Sequence, residues 1–437
     1  MDIRDDDALK NSLDALEIPE EFARYHAITD AQLISLLDEW RSNVQNALAD
    51  LRTLLQAREL LSVNEKAKVI SVLAPLDGHD PWMLGSTREQ AQDILQRFSS
   101  PETPLLEQVL TQHVKAVFQA NPHPMLNVST GRTRTRLMGG PLATLDHYGG
   151  QLWKARPGAV NLVSWCVRHC DSVAYEKLWH LIIPPMMTIL DDYEAMYKLQ
   201  GIHIVAEMLV HVPADLLRRT GVDGLLFSSL KKCLTYLHNS ETPELIHQTV
   251  PTAISLIQLT TAPHSAKRFE QLCEVLGDGI VGSVWIYATR ESDAIEASVD
   301  VLPEAVQALD IGAARYLKAI IPQLVYTLVP MPENRASKQF QLSSLRAMCS
   351  VIRVCAPRMH KWKRIILEGT LKCWVSLVDI GADDDRGCSQ LMSALRKVCG
   401  CLLEACPSLA QDEYARLLQL DRQTFDPLVG GLAANDS

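Results

Sequence analysis

The stretch IIPPMMTILDDYEAMYKLQG (182–201) sets two adjacent carboxylates, Asp191 and Asp192, shortly ahead of a lysine, Lys198. Paired acids can hold a divalent cation or divide general acid and general base work between them. The spacing here suits neither role. Neighbouring residues in a helical turn point in different directions, and no companion His or Glu stands nearby at metal-ligand spacing. A structural role fits better. An Asp between two helices accepts backbone N–H groups at the next helix start and complements the positive end of its dipole.

Four other clusters invite the same question. GRTRTR (131–136) alternates Arg132, Arg134 and Arg136 beside hydroxyl side chains, and guanidinium forks suit phosphate or a phosphorylated partner. An exposed loop whose arginines cap helix ends is the plainer reading and is preferred; the Gly-Lys-Ser/Thr end of a phosphate loop is missing. CVRHC (166–170) puts two thiols one helical turn apart beside His169, but a structural zinc site needs a fourth ligand and a knuckle. Buried core is the better reading. Trp153 and Lys154 close a Gly-rich approach to a helix; they either anchor that loop or offer a partner a hot spot, and both stay open. GADDDRG (381–387) lacks the spacing and terminal Glu of a calcium loop. With no nucleotide, zinc-protease or nucleophile-elbow motif present, no catalytic residue, cofactor or metal is assigned.

The elements that must position these residues are helical. In AQLISLLDEW (31–40) apolar side chains recur on one face, with Thr29 as a candidate cap and Gln32 completing a capping box. Comparable runs recur to the C-terminus, among them 43–61, 64–74, 104–120, 173–190, 193–211, 243–260, 338–355 and 389–405. Only GIVGSVWIYAT (279–289) reads as a strand candidate, and helix flanks it. Short gaps such as PADL (213–216) join the runs. The expected fold is all-α, a HEAT- or armadillo-like α-solenoid of stacked antiparallel helix pairs. IIPPMMTIL (182–190) and IIPQLVYTL (320–328) hint at an internal repeat, as do SLKKCLTYL (229–237) and TLKCWVSL (370–377). We place an N-terminal helical region at 1–100 and the array at 101–437, with an irregular insertion near 120–150.

Bulk properties narrow the function. The net charge of −10 argues against sequence-independent nucleic-acid binding. No segment reaches the ~18 to 20 unbroken apolar residues of a membrane span. The eleven cysteines sit mostly in apolar runs, and the acidic N-terminus MDIRDDDALK is unlike a signal peptide, so a reducing intracellular compartment is expected.

Counted from Pro184, Asp192 and Lys198 fall at the offsets of the HEAT repeat, whose proline is expected early in a first helix and whose lysine is expected to reach the turn Asp or its counterpart next door. The stretch 178–213, LWHLIIPPMMTILDDYEAMYKLQGIHIVAEMLVHVP, also resembles the Tel-two-interacting protein two family. So do HPMLNVSTGR (123–132), DHYGGQLWK (146–154) and the tryptophan helix LVSWCV (162–167). The resemblance covers about 105–240 in specific blocks and is diffuse beyond. It implies a non-enzymatic α-solenoid subunit of the TTT (Tel–Tti–Tti) co-chaperone complex, cytoplasmic and nuclear. The implied partners are the larger HEAT-repeat Tti subunit and the Tel subunit. Phosphatidylinositol-3-kinase-related kinases are the implied clients, with the ninety-kilodalton heat-shock chaperone and its AAA+ adaptors acting indirectly. A generic HEAT-repeat adaptor in transport is the alternative, and a helical metalloenzyme built on Asp191 and Asp192 is the reading furthest from it.

Overall fold

A computed structural model of the chain describes residues 3–58, 60–118, 123–134, 151–329, 336–379, 381 and 386–433. Among these the protein is all-α, with one two-residue hairpin. The chain forms two compact units, Met1–Ser229 and Leu230–Ser437, so the boundary expected near residue 100 falls inside the first.

In the first unit the helices are α1 (Ile3–Asp14), α2 (Ala31–Ala57), α3 (Val63–Leu73), α4 (Gly85–Leu95), α5 (Thr103–Val109), α6 (Ala159–Arg168), α7 (Ser172–Leu190), α8 (Ala195–His211) and α9 (Ala214–Thr220); α10 (Val222–Cys233) begins in it and ends past its last residue. The runs 31–40 and 43–61 merge into the single helix α2, which buries Leu37, Val44, Leu48, Leu51 and Leu55. Its cap is Asp30, which accepts the Gln32 N–H at 2.8 Å, and not Thr29. A full capping box forms instead at Ser62 and Glu65, starting α3. α5 runs on through a π-helical turn (Leu110–Val114) to Phe118. Helices pack on partners close in sequence: α2 on α4, α3 on α5, and α6 and α7 on α8.

The second unit continues with α11 (Thr242–Thr260), α12 (Ala266–Cys273), α13 (Ser292–Asp300), α14 (Leu302–Leu309), α15 (Leu317–Tyr326), α16 (Lys338–Val354), α17 (Lys363–Asp379) and α18 (Arg386–Ala405). Here α11 packs on α13, α14 on α16, α15 on α17 and α16 on α18. Packing against the helix two places on, repeated along the chain, is the arrangement of a solenoid. The strand candidate at 279–289 is helical instead: Glu274–Val284 form a π-helix that runs into Trp285–Tyr287. Its buried side chains, Ile280, Val284 and Ala288, recur every four residues on one face, but Ile286 and Tyr287 are apolar and exposed, which hides that period in the sequence. Ser283 and Trp285 fix it, the first donating to the Leu234 carbonyl and the second to the Ser298 hydroxyl at 2.8 Å.

The repeat-signature proline departs from expectation. Pro184 and Pro185 lie deep inside α7, past the first turn. Each removes a donor there, leaving the carbonyls of His180 and Leu181 without the usual i+4 partner. α7 tolerates this because it is buried almost all round, from Leu178 to Leu190, so packing outweighs propensity. Thr188 takes up the Pro184 carbonyl with its hydroxyl at 2.9 Å.

α7 and α8 cross closely at Gly201, where an added Cβ would lie 2.5 Å from the Leu190 Cα. Backbone cannot yield as a side chain does. Gly201→Val is therefore expected to cost about 1–3 kcal/mol by overpacking, read as a lower urea midpoint than the parent chain.

Candidate functional site

The turn between α7 and α8 is the centre of the candidate site. Asp191 ends α7, and Asp192 follows with a side chain only 1% exposed. The two acids diverge, as adjacent turn residues must. Asp192 Oδ1 accepts the Glu194 backbone N–H at 2.8 Å, the donor just ahead of α8. The same oxygen accepts from Lys154 Nζ at 2.9 Å, and Lys154 also donates to Glu194 Oε1 at 2.7 Å. One ammonium thus joins the loop before α6 to the turn before α8.

Asp191 points elsewhere. Its Oδ2 lies 3.0 Å from Nε2 of the buried His123. The Met125 N–H donates to His123 Nδ1 at 3.3 Å, so that nitrogen holds a lone pair and the ring proton sits on Nε2, facing Asp191. Both ring nitrogens are therefore occupied by the fold.

Environment separates the two carboxyls. Burial pushes Asp192 up, and it stays above the ordinary range despite the Lys154 and Glu194 hydrogen bonds. Burial presses on Asp191 as well, but hydrogen bonds from His123 and Ser229 and the Lys198 charge hold it below that range. Burial opposes the Lys154 charge, yet its bonds to Glu194 and Asp192 leave its pKa raised.

Lys198 does not reach Asp192. It is 2% exposed and donates to the Leu190 carbonyl at 2.9 Å, tying the end of α7 to α8. The expected turn lysine is thus Lys154, which comes from a loop far upstream.

Trp153 is buried between elements. It stacks on Phe118 with ring centroids 5.6 Å apart and meets Tyr197 edge-on at 4.7 Å, while its indole N–H donates to Gln151. It anchors the 151–155 loop. Lys154 lies over the Tyr193 ring at 4.2 Å, and Tyr193 is more than half exposed.

The arginine run divides. Arg132 is exposed on a two-residue strand (Arg132–Thr133) paired with Leu126–Asn127. The Arg134 N–H extends the ladder to the Met125 carbonyl at 2.8 Å, whereas Arg136 lies outside the described residues. Two contacts seat the hairpin: the Trp179 indole donates to the Gly131 carbonyl at 3.1 Å, and the Thr133 hydroxyl to the Thr220 carbonyl at 3.2 Å. Gly131 has φ +63°, and a Cβ there would strike Trp179, so the Thr-Gly-Arg block needs its glycine.

Cys166 and Cys170 are buried, and burial pushes both thiols up, Cys170 to about 12. Among the described residues no group of three His, Cys, Asp or Glu is arranged to hold a metal ion. Residues 382–385 of the acidic GADDDRG turn lie outside the described residues.

A family profile decides what these positions belong to: that of the Tti2 family matches residues 69–332, more than half of the chain. The chain belongs to the Tti2 family. The match spans the hairpin, the Lys154 loop, the acid turn and Gly201, and membership supports a place among the subunits of the TTT complex. The crystal structure of an engineered protein is also similar, at 12% identity over 94% of this chain and 96% of that one, with a TM-score of 0.33.

The Tti2-family turn yields two tests. Lys154→Met leaves the Asp192 carboxyl buried without its ammonium. Since Lys154 itself is partly exposed, the expected loss is about 3 kcal/mol, the low end for a broken buried pair. Asp192→Leu in the same chain should recover part of it in a double-mutant cycle of urea unfolding. Asp191 supplies the pH test. Its folded pKa is depressed, so its stabilisation is present above the unfolded value near 3.8 and lost as pH falls through the folded one. The melting-temperature gap between the parent and Asp191→Asn should shrink as pH falls below about 4. Asp192, shifted the other way, is common to both chains and drops out.

Proposed function

We propose that this chain is a non-enzymatic scaffold subunit of the TTT co-chaperone complex. In this reading it docks onto the larger HEAT-repeat Tti subunit and, with the Tel subunit, supports folding, stability and assembly of phosphatidylinositol-3-kinase-related kinases. It does so together with the ninety-kilodalton heat-shock chaperone and its AAA+ adaptors, which act indirectly, in the cytoplasm and nucleus.

The observation that carries the reading is the Tti2-family match over 69–332, a span that contains the Asp191–Asp192 pair. Each member of that pair is bound by the fold: Asp191 by His123, Asp192 by Lys154 and the Glu194 N–H. Side chains engaged in holding a turn together support a protein that works through its surfaces. A stacked helical array suits that role, since it offers long surfaces without a central pocket. None of the described helices is long and apolar enough to cross a membrane.

Affinity purification of the tagged chain, with co-purifying chains identified by mass spectrometry, tests the reading. The larger Tti subunit and the Tel subunit are expected at near-equal stoichiometry, and depletion of the chain should lower kinase abundance. Recovery with cargo receptors or a small GTPase, and without those subunits, would replace it by a transport adaptor.

A further inference from the structure

Beside the Lys154 clamp lies a small cavity that the turn itself does not use. Its walls include Tyr25, Trp82, Tyr197, Asp80 and Gln200, and its volume is about 70 Å³. Ligand and cofactor pockets run to several hundred Å³, so this one has room for the end of a single side chain. Two of its polar groups have acceptor capacity to spare. Gln200 Oε1 is buried without a hydrogen-bond partner among the described residues. The Asp80 carboxyl accepts from Asn161 Nδ2 at 2.8 Å and from its own backbone N–H, which leaves further acceptor sites on a carboxylate, while burial pushes its pKa up. A buried acceptor left unmet is costly, and an incoming donor would relieve it.

We propose that this cavity receives an arginine side chain from a partner protein. Four observations point to a guanidinium. Aromatic faces line the walls, and a guanidinium stacks on such faces better than an ammonium does. The neighbouring ring cluster already holds one: Arg41 of this chain lies 4.8 Å from the Tyr25 centroid and 5.5 Å from that of Phe22, and its Nε donates to the Trp82 carbonyl. The two acceptors, a carboxylate and an amide oxygen, match a forked donor. Finally, the cations at the rim are already paired, Lys154 with Asp192 and Glu194, Arg156 with Glu20. With Asp80 the immediate surroundings hold more acid than base. Met196, which lines the cavity, is partly exposed, and Tyr193 and Leu152 close by are more so, offering apolar cover for the arginine stem.

The arginine's source, a partner protein, rests on the scaffold reading; the cavity's chemistry does not, and the two are tested apart. The full chain, labelled with ¹⁵N-tryptophan, is titrated with N-acetyl-arginine amide and, in parallel, with the neutral isostere N-acetyl-citrulline amide. The Trp82 indole resonance should shift saturably with arginine and not with citrulline. Asp80→Asn, which keeps an acceptor for Asn161, should weaken the response about tenfold, as loss of one charged hydrogen bond does. Gln200→Leu should weaken it too and serves if Asp80→Asn fails to fold. Equal shifts for both ligands, no saturable shift, or a response unchanged in the variants would overturn the cavity's role. For the source, a benzophenone amino acid replaces Met196 in the chain assembled with its co-purifying subunits. The cross-linked peptide is expected to contain arginine; a peptide without one, or no cross-link, would overturn the partner assignment while the subunit reading stands on its own recovery experiment.

Discussion

A carboxylate taken out of water must be met by compensating charge and hydrogen bonds, and Asp192 imposes that constraint on the centre of the first unit. Its side chain is 1% exposed, a burial that costs several kcal/mol when unmatched. The Glu194 N–H and the Lys154 ammonium supply the match. Because Lys154 belongs to a loop 38 residues upstream, meeting that demand also fixes where the loop lies. Trp153 is carried with it and fills the space between Phe118 and Tyr197, so α5, the loop and α8 are held in one packing arrangement. The pair is better understood as a registry device than as a source of net stability, since a well-packed apolar substitute can do as well energetically.

The same geometry bears on function. A reacting group needs an unsatisfied lone pair or proton facing open space. Asp191 faces His123, and His123 uses its other nitrogen on the Met125 N–H. Asp192 is shared between a backbone donor and Lys154. What this region turns outward is the half-exposed Tyr193 ring, Met196 and Leu152, with Arg132 on the hairpin. The cavity lined by Asp80 and Gln200 differs from the turn in this respect, because there acceptor capacity is left over.

Two local departures from regular helix show tertiary packing prevailing over propensity. Interior prolines normally cost a helix ~3 kcal/mol or more, yet α7 holds Pro184 and Pro185 side by side. The nearly continuous burial of Leu178 to Leu190 is large enough to offset that loss. In the second unit, Glu274–Val284 widen into a π-helix where Gly277, Gly279 and Gly282 face Tyr316, Leu234 and the Gly277 carbonyl. Close approach there needs residues without a side chain.

The sequence by itself determined that the chain is helical, since side chains repeat at the helical period almost from end to end, and that Asp191 and Asp192 mark a turn, since both are strong capping residues after an apolar run. It also identified the Tti2 family, through blocks whose order and spacing are local features of the chain. Periodicity reports on neighbours along one helix, which is why it failed at residues 279–289, where the exposed apolar Ile286 and Tyr287 hide the one-face pattern, and at Pro184, where burial elsewhere overrides a local rule. Only the tertiary structure decided which lysine meets the buried acid. Lys198 stood at the expected offset, but an ammonium bonds to the acceptor nearest in space, and folding brought Lys154 to Asp192 and left Lys198 to the Leu190 carbonyl. His123 was invisible for the same reason: its partner lies 68 residues away, a separation that no local pattern encodes.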